Sequence, residues 1–184
     1  MAICIFSGTF NPIHNAHIKM AEYALEHYDF EKIIFIPAYL PPHKEIEGNL
    51  AEHRYRMVEL ATAYNPKFEV SDIEYKRNEP SYSLITVKKI IEQYGIQGRL
   101  NFIIGTDAFA KVDTWYKAEE LKSLVHFIVF PRRGNDNIKA DGWDYELTSM
   151  DYEDVSSTEI REGAKNIDKK VEEYIKKNGL YSNC

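Results

Sequence analysis

The sequence has few of the features that mark membrane, secreted or disulfide-stabilised proteins. Its only cysteines, Cys4 and Cys184, cannot form a disulfide framework or a CxxC metal site. No apolar run approaches the roughly 18 residues of a membrane-spanning helix, and no signal peptide follows Met1. The net charge is −6, so the chain lacks the basic excess that favours nucleic acid or acidic membranes. We therefore expect a cytoplasmic globular protein that binds neither.

Three common motifs of nucleotide-binding proteins and hydrolases are also missing. No GxGxxG follows the first predicted strand, and GxxxxGK(S/T) does not occur anywhere in the chain. The GxSxG turn of serine hydrolases is absent as well. These absences disfavour a dinucleotide-binding fingerprint of the usual kind, a P-loop and a serine nucleophile.

Short apolar segments alternate with segments of helical periodicity. The apolar segments predict buried strands at residues 2–6, 33–37, 100–104 and 125–130, and an alternating segment at 68–73 predicts a less buried strand. The periodic segments predict helices at about 18–28, 51–64, 83–94, 114–124, 157–165 and 169–177. Residues 133–142 are polar and predict a loop. This alternation predicts an α/β fold with a mostly parallel sheet, in a single domain that spans residues 1–184.

The first predicted strand is followed by a turn and two histidines. Residues 7–17 read SGTFNPIHNAH, in which Gly8 permits a tight turn and His14 and His17 stand three residues apart at a helix start. Imidazoles beside a helix N-terminus can donate hydrogen bonds to a polyphosphate. The spacing is equally consistent with histidines that only cap the helix. Zinc fits less well, because no third ligand lies at a recognisable spacing.

The end of the fourth predicted strand supplies a further polar group. Gly105 and Asp107 follow it, where a carboxylate can hold ribose hydroxyls or cap the next helix. This pattern alone leaves both interpretations open.

A second candidate anion site lies near the C-terminus. Residues 155–161 read VSSTEIR and place hydroxyls and a guanidinium at a predicted helix start, a combination that suits phosphate. Ser156 and Glu159 are also spaced as a capping box, which needs no ligand. A cap uses only one hydroxyl, and Ser157, Thr158 and Arg161 remain to be explained.

These segments resemble, in order along nearly the whole chain, the motifs of bacterial nicotinate-nucleotide adenylyltransferases, members of the nucleotidyltransferases with HxGH and ISSTxIR signatures. Residues 7–18 are similar to GGTFDPIHxGH, with Ser7, Asn11 and Ala16 in place of Gly, Asp and Gly, and VSSTEIR is similar to ISSTxIR. Further similarities lie at 41–44 (PPHK), 53–57 (HRYRM), 80–86 (PSYSLIT), 105–107 with Trp115, 132–134 (RRG) and 171–181 (VEEYIKKNGLY).

The resemblance implies a Rossmann-like, doubly wound parallel sheet with helices on both faces. It also implies transfer of AMP from ATP to nicotinate mononucleotide, which gives nicotinate adenine dinucleotide and pyrophosphate in NAD biosynthesis. The first alternative keeps this chemistry with another acceptor, either nicotinamide mononucleotide or phosphopantetheine. The second is a nucleotide-binding regulator that has lost turnover.

The resemblance further implies roles for individual residues. The implied catalytic residues are His14, His17, Lys44 and Arg161. The implied ATP-binding residues are the two histidines, Arg161, Gly8, Thr9, Phe10, Gly105, Asp107, Ser157 and Thr158. By the same resemblance, the C-terminal helices from about residue 157 complete the ATP site. The implied acceptor-binding residues are Lys44, Tyr82, Ser83, Thr86, Asp107, Trp115 and Arg132.

Alternatives remain for two of these residues and for the assembly. Trp115 is either a ring that stacks on the pyridine or a core aromatic, and Arg132 contacts a phosphate or is a solvated loop charge. Mg²⁺ is expected to arrive with ATP and to need no dedicated protein ligands. Assembly into a homo-oligomer is left open by the sequence.

Overall fold

A computed structural model describes residues 2–39, 50–76, 82–131, 138, 140–150 and 166–181. Within these residues six strands form one sheet, in which every neighbouring pair is parallel. The strands are β1 (Ile3–Gly8), β2 (Lys32–Pro37), β3 (Phe68–Val70), β4 (Leu100–Gly105), β5 (Val125–Phe130) and β6 (Tyr145–Leu147).

The described helices connect these strands and finish the chain. They are α1 (Asn15–His27), α2 (Ala51–Thr62), α3 (Ser83–Tyr94), α4 (Thr106–Phe109), α5 (Ala118–Lys122) and α6 (Lys169–Lys177). Two 3₁₀ turns cover Ile73–Lys76 and Val112–Thr114.

The strand order is β3-β2-β1-β4-β5-β6, so the chain winds outward from β1 in one direction and then from β4 in the other. The connections that leave β1 and β4 therefore diverge, and a crevice opens at the carboxyl ends of these two strands. This confirms the predicted Rossmann-like, doubly wound α/β fold. It also places the segments after Gly8 and Gly105 at the same edge of the sheet.

Two apolar layers, one on each face of the sheet, explain the continuous hydrophobic strands. Alternate residues of β1 belong to different layers: Phe6 packs with α1, α2 and α6, whereas Ile5 packs with α3, α4 and α5. A strand that is buried on both faces has no solvent-facing positions, so polar residues do not alternate with apolar residues along it. Among the described residues, no helix is both long and apolar enough to cross a membrane.

Several predicted elements agree with the structure, and three differ. The helix at 83–94 is confirmed, and Gly95 ends it in the left-handed conformation, with φ of 62°. The strand predicted to reach residue 73 ends at Val70, where a 3₁₀ turn soon follows. The helix predicted at 114–124 is interrupted, because Lys117 adopts a φ of 50° just before α5. The sequence did not predict β6, which has only three residues.

Other predicted segments lie outside the described residues. These are the helix at 157–165 and most of the loop at 133–142.

A polar network at one end of the sheet joins β2, β3 and α3. The carboxylate of Glu69 accepts hydrogen bonds from Lys32 Nζ at 2.9 Å and from the hydroxyl of Tyr94 at 2.8 Å. Burial by itself raises the pKa of the Glu69 carboxyl. The two hydrogen bonds together lower this pKa by more than burial raises it, so it lies below its ordinary value of 4.5. The network therefore stabilises the fold only while Glu69 is ionised.

We expect Glu69→Gln to lower the free energy of unfolding by up to about 1 kcal/mol at pH 7, because the carboxylate is partly exposed. A depressed folded-state pKa gives stability that is present above the unfolded-state pKa and is lost as the pH falls through the folded value. The difference from wild type should therefore shrink below about pH 4.5. Urea unfolding across this range measures it, with the exposed Glu92→Gln on α3 as control. A difference that does not change with pH would contradict this ionisation model.

Candidate functional site

The loop between β1 and α1 places the ring of Phe10 over the end of the first strand. Phe10 has a φ of 48°, and its ring lies so close to Gly8 that a Cβ on this glycine would be 3.2 Å from the ring. The Phe10 ring is 97% buried and meets Phe6 and Phe35 at centroid distances of 5.3 and 5.9 Å. Glycine at position 8 therefore allows the loop to fold back tightly onto the sheet.

His14 and His17 cap the start of α1 reciprocally. The backbone N–H of His14 donates to Nδ1 of His17 at 3.1 Å, and the backbone N–H of His17 donates to the ring of His14. Their rings stack at a centroid distance of 3.8 Å. The spacing thus produces a cap at the start of α1 that orients the rings, and the phosphate-binding role of the two histidines stays a prediction.

The cap also determines which nitrogen of the neutral His17 ring carries the proton. A backbone N–H can only donate, so Nδ1 of His17 accepts and is deprotonated, and the proton is on Nε2. Phe10 and Phe6 hold the ring in place by edge-to-face contacts at 5.1 and 5.9 Å. His14 is buried, whereas His17 is only half-buried. The pair therefore presents His17 as an oriented hydrogen-bond donor.

The C-terminal segment contacts the same loop. The backbone N–H of Asn15, the first residue of α1, donates to the carbonyl of Asn166 at 2.8 Å. The hydroxyl of Tyr181 donates to Oδ1 of Asn11, which lies 170 residues earlier in the sequence. One amide of the helix N-terminus is therefore used within the protein. Local sequence patterns could not reveal these contacts, because their partners are distant along the chain.

Arg54 of α2 holds two loops beside the histidines, a role that the pattern of motifs did not identify. Its side chain is fully buried and donates to the backbone carbonyls of Thr9, Ala38 and Tyr39. These carbonyls belong to the segments that follow β1 and β2. The sequence signal that could have pointed to it is an arginine on the apolar face of a predicted helix, three residues before Met57 and four before Val58.

Asp107 lies exposed in the first turn of α4, directly after Gly105 at the end of β4. Because β4 pairs with β1, this carboxylate stands at the same edge of the sheet as the histidine loop. The carboxylate of Asp107 is thus an exposed group at the edge of the sheet from which the histidine loop also emerges.

The predicted acceptor residues at the start of α3 lie beside the segment that contains Trp115. The ring of Tyr82 stacks on Tyr116 at a centroid distance of 4.5 Å. Trp115 is half-buried and lies 6.2 Å from both Phe102 and Phe127, so it packs on the core and keeps some exposed surface. The structure therefore brings together two aromatic segments that are distant in sequence, and Tyr116 is a member that the sequence analysis did not name.

Ser83 and Thr86 occupy the first turn of α3 below this stack. Thr86 is 99% buried, and its hydroxyl donates to Oε2 of the buried Glu74 at 2.7 Å. Ser83 is half-buried as the first residue of the helix. The hydroxyl proton of Thr86 is therefore directed to a protein carboxylate.

Five predicted site residues lie outside the described residues: Lys44, Arg132, Ser157, Thr158 and Arg161. Their assignments stay predictions.

Comparison with protein families identifies the chain's superfamily. Residues 5–163 match the model of the cytidylyltransferase-like family. The match includes the histidine loop, the loop after β4 and the VSSTEIR segment.

Curated relatives cover nearly the whole chain. A probable nicotinate-nucleotide adenylyltransferase of Caldicellulosiruptor saccharolyticus is 38% identical, with 98% of this chain and 99% of that protein aligned. The nicotinate-nucleotide adenylyltransferase of Bacillus subtilis is also 38% identical, with 97% of each chain aligned. Among solved structures, the Plasmodium falciparum nicotinic acid mononucleotide adenylyltransferase complexed with NaAD superposes with a TM-score of 0.79, at 21% identity, and covers 100% of this chain and 98% of that one. This structural similarity supports the fold.

We expect the neutral His17 ring to be present as the Nε2–H tautomer, because Nδ1 accepts the backbone N–H of His14. Long-range ¹H–¹⁵N NMR of the histidine rings distinguishes the two tautomers, and His17→Gln identifies the signal. A ring protonated mainly on Nδ1 would show that the reciprocal cap does not form in solution.

Proposed function

The chain belongs to the cytidylyltransferase-like family and, within it, to the nicotinate-nucleotide adenylyltransferases, and we propose that it transfers AMP from ATP to nicotinate mononucleotide in NAD biosynthesis. The products are nicotinate adenine dinucleotide and pyrophosphate. The observation that carries this proposal is the histidine pair at the carboxyl end of β1, beside the crevice between the loops after β1 and β4. There His17 is held as a directed donor.

The chemistry of this transfer needs no nucleophile from the protein. A phosphate oxygen of the acceptor attacks the α-phosphorus of ATP and forms the new P–O bond, while the bond to the bridging α,β-oxygen breaks and pyrophosphate leaves. Catalysis then consists of holding the two substrates in line and stabilising the charge that develops on the phosphate oxygens. Donors in a fixed orientation are what this task requires.

His17 is suited to this task because its ring does not have to reorient during the reaction. The reciprocal cap fixes Nδ1, and two phenylalanine rings fix the plane. The Nε2–H can then donate to an α-phosphate oxygen as its charge increases. Loss of one such oriented donor typically costs about 100- to 1,000-fold in kcat. His14 acts beside it and holds the orientation through the cap.

The remaining ATP contacts follow from the family resemblance. Asp107 would hold a ribose, while Ser157, Thr158 and Arg161 would bind the triphosphate and Lys44 would add positive charge. Mg²⁺ would enter bound to the ATP phosphates and neutralise part of their charge. Among the described residues, no three His, Cys, Asp or Glu side chains are grouped so as to hold a metal ion.

The aromatic group around Tyr82, Trp115 and Tyr116 is the proposed site for the pyridine ring of the acceptor. Flat aromatic surfaces suit a flat heterocycle. The stack of Tyr82 on Tyr116 joins the start of α3 to the segment before α5, so both sides of such a site are held together. This surface is the reason to prefer a pyridine nucleotide to phosphopantetheine.

Nicotinamide mononucleotide is the second candidate acceptor, because the aromatic group around the stack of Tyr82 on Tyr116 suits its pyridine ring equally well. The family membership still places nicotinate first.

The direct test is pyrophosphate release with ATP and Mg²⁺, compared for nicotinate mononucleotide, nicotinamide mononucleotide and phosphopantetheine. We expect the highest kcat/KM with the nicotinate form. A higher kcat/KM with the nicotinamide form would support the second candidate instead. A folded protein that binds ATP and releases no pyrophosphate with any acceptor would contradict both and indicate a regulator.

We expect His17→Ala to lower kcat by about two to three orders of magnitude, because the oriented donor is lost together with its part of the cap of α1. His27→Ala is the matched control, since this histidine is exposed in the last turn of the same helix, where its Nδ1 pairs with the carbonyl of Tyr23 and its ring stacks on the ring of Tyr23. Near-wild-type turnover of a folded His17→Ala protein would remove His17 from the mechanism.

A further inference from the structure

Arg54 is a fully buried cation placed between the two loops that leave β1 and β2. Its Nη1 donates to the carbonyl of Thr9 at 2.9 Å and to that of Ala38 at 2.6 Å, and its Nη2 donates to that of Tyr39 at 3.2 Å. The backbone N–H of Ala38 also donates to the carbonyl of Gly8 at 2.9 Å. A single side chain of α2 thus joins two backbone segments at the carboxyl edge of the sheet.

The energetic cost of this arrangement suggests a role beyond general stability. Burial lowers the pKa of the Arg54 guanidinium, although the neighbouring Tyr75, Tyr181 and Glu74 raise it. A guanidinium remains protonated even so, and a buried charge often stabilises a fold no better than an apolar side chain of similar volume. What the guanidinium provides, and an apolar side chain does not, is a planar fork of donors that fixes the positions of several acceptors at once.

The carbonyl of Thr9 connects Arg54 to the histidine pair. Thr9 directly precedes Phe10, whose φ of 48° is uncommon for a residue other than glycine and persists only where surrounding contacts impose it. The hydrogen bond from Arg54 holds the carbonyl of the peptide group between Thr9 and Phe10. The Phe10 ring in turn contacts His17 edge-to-face at 5.1 Å, with the planes at 88°.

We propose that Arg54 is a positioning residue for the transfer: by joining the loops after β1 and β2, it fixes Phe10 against His17 and so directs the His17 donor. Arg54 itself does not touch the reacting atoms in this proposal. The proposal rests on the proposed function for its kinetic consequence, but its structural consequence at His17 does not depend on turnover.

The test compares Arg54→Lys and Arg54→Gln with Val58→Ala. Lysine keeps the charge but presents one ammonium group, which lacks the planar fork, and glutamine keeps a hydrogen-bonding group without the charge. Val58 is fully buried on the same helix and packs in the core, so Val58→Ala is the control for loss of stability alone. All proteins are assayed at a temperature at which circular dichroism shows them folded.

We expect both Arg54 variants to lose at least tenfold in kcat, with a smaller change in the KM for ATP. We also expect their His17 ring signal, in long-range ¹H–¹⁵N NMR, to change from the Nε2–H tautomer to a mixture. Val58→Ala should lower the melting temperature but leave kcat within twofold of wild type and the His17 signal unchanged. A loss of kcat that merely followed stability would appear in Val58→Ala as well.

The proposal is overturned if a folded Arg54→Lys or Arg54→Gln protein keeps kcat within twofold of wild type, or if its His17 signal is unchanged. If neither variant folds, Phe10→Leu tests the same path, because it removes the ring that contacts His17 and leaves Arg54 in place. An unchanged His17 signal in that variant overturns the proposal too. If the wild type releases no pyrophosphate with any acceptor, the proposed function fails, while the NMR comparison still decides the role of Arg54.

Discussion

The parallel pairing of β1 with both β2 and β4 is the constraint on which the rest of the structure depends. All the strands of the sheet run the same way, so the loops that follow β1, β2 and β4 emerge at one edge. The order of the strands reverses at β1, so the loops after β1 and β4 separate and leave a crevice. The histidine loop and Asp107 lie on the two sides of this crevice because of the topology.

Contacts from distant parts of the chain then fix the histidine loop within that crevice. Arg54 holds its beginning, Tyr181 holds Asn11, and Asn166 holds the first amide of α1. These contacts order the loop when the protein folds, so that less ordering remains to be done when substrate binds. Such preorganisation is the main contribution that a protein can make to a reaction in which one substrate phosphate attacks another.

The sequence predicted those features that depend on local periodicity and missed those that depend on long-range contacts. The helix at 83–94 and the strand at 125–130 are confirmed because their patterns are long and their ends are well marked. The short β6 shows no apolar alternation, and the break at Lys117 depends on a backbone conformation that lysine rarely adopts. The histidine spacing indicated a shared helix start, but the tautomer of His17 and the contacts of Arg54 required the three-dimensional arrangement.

The central claim is that the protein orients the substrates and stabilises charge without forming a covalent bond to the adenylyl group. The stereochemistry at the α-phosphorus tests it most directly, with ATP that carries sulfur in place of one α-phosphate oxygen in a single configuration and nicotinate mononucleotide as acceptor. A single in-line attack predicts a dinucleotide with inverted configuration. Retention would require two successive displacements through an adenylylated side chain, and it would contradict the role proposed for the histidine loop.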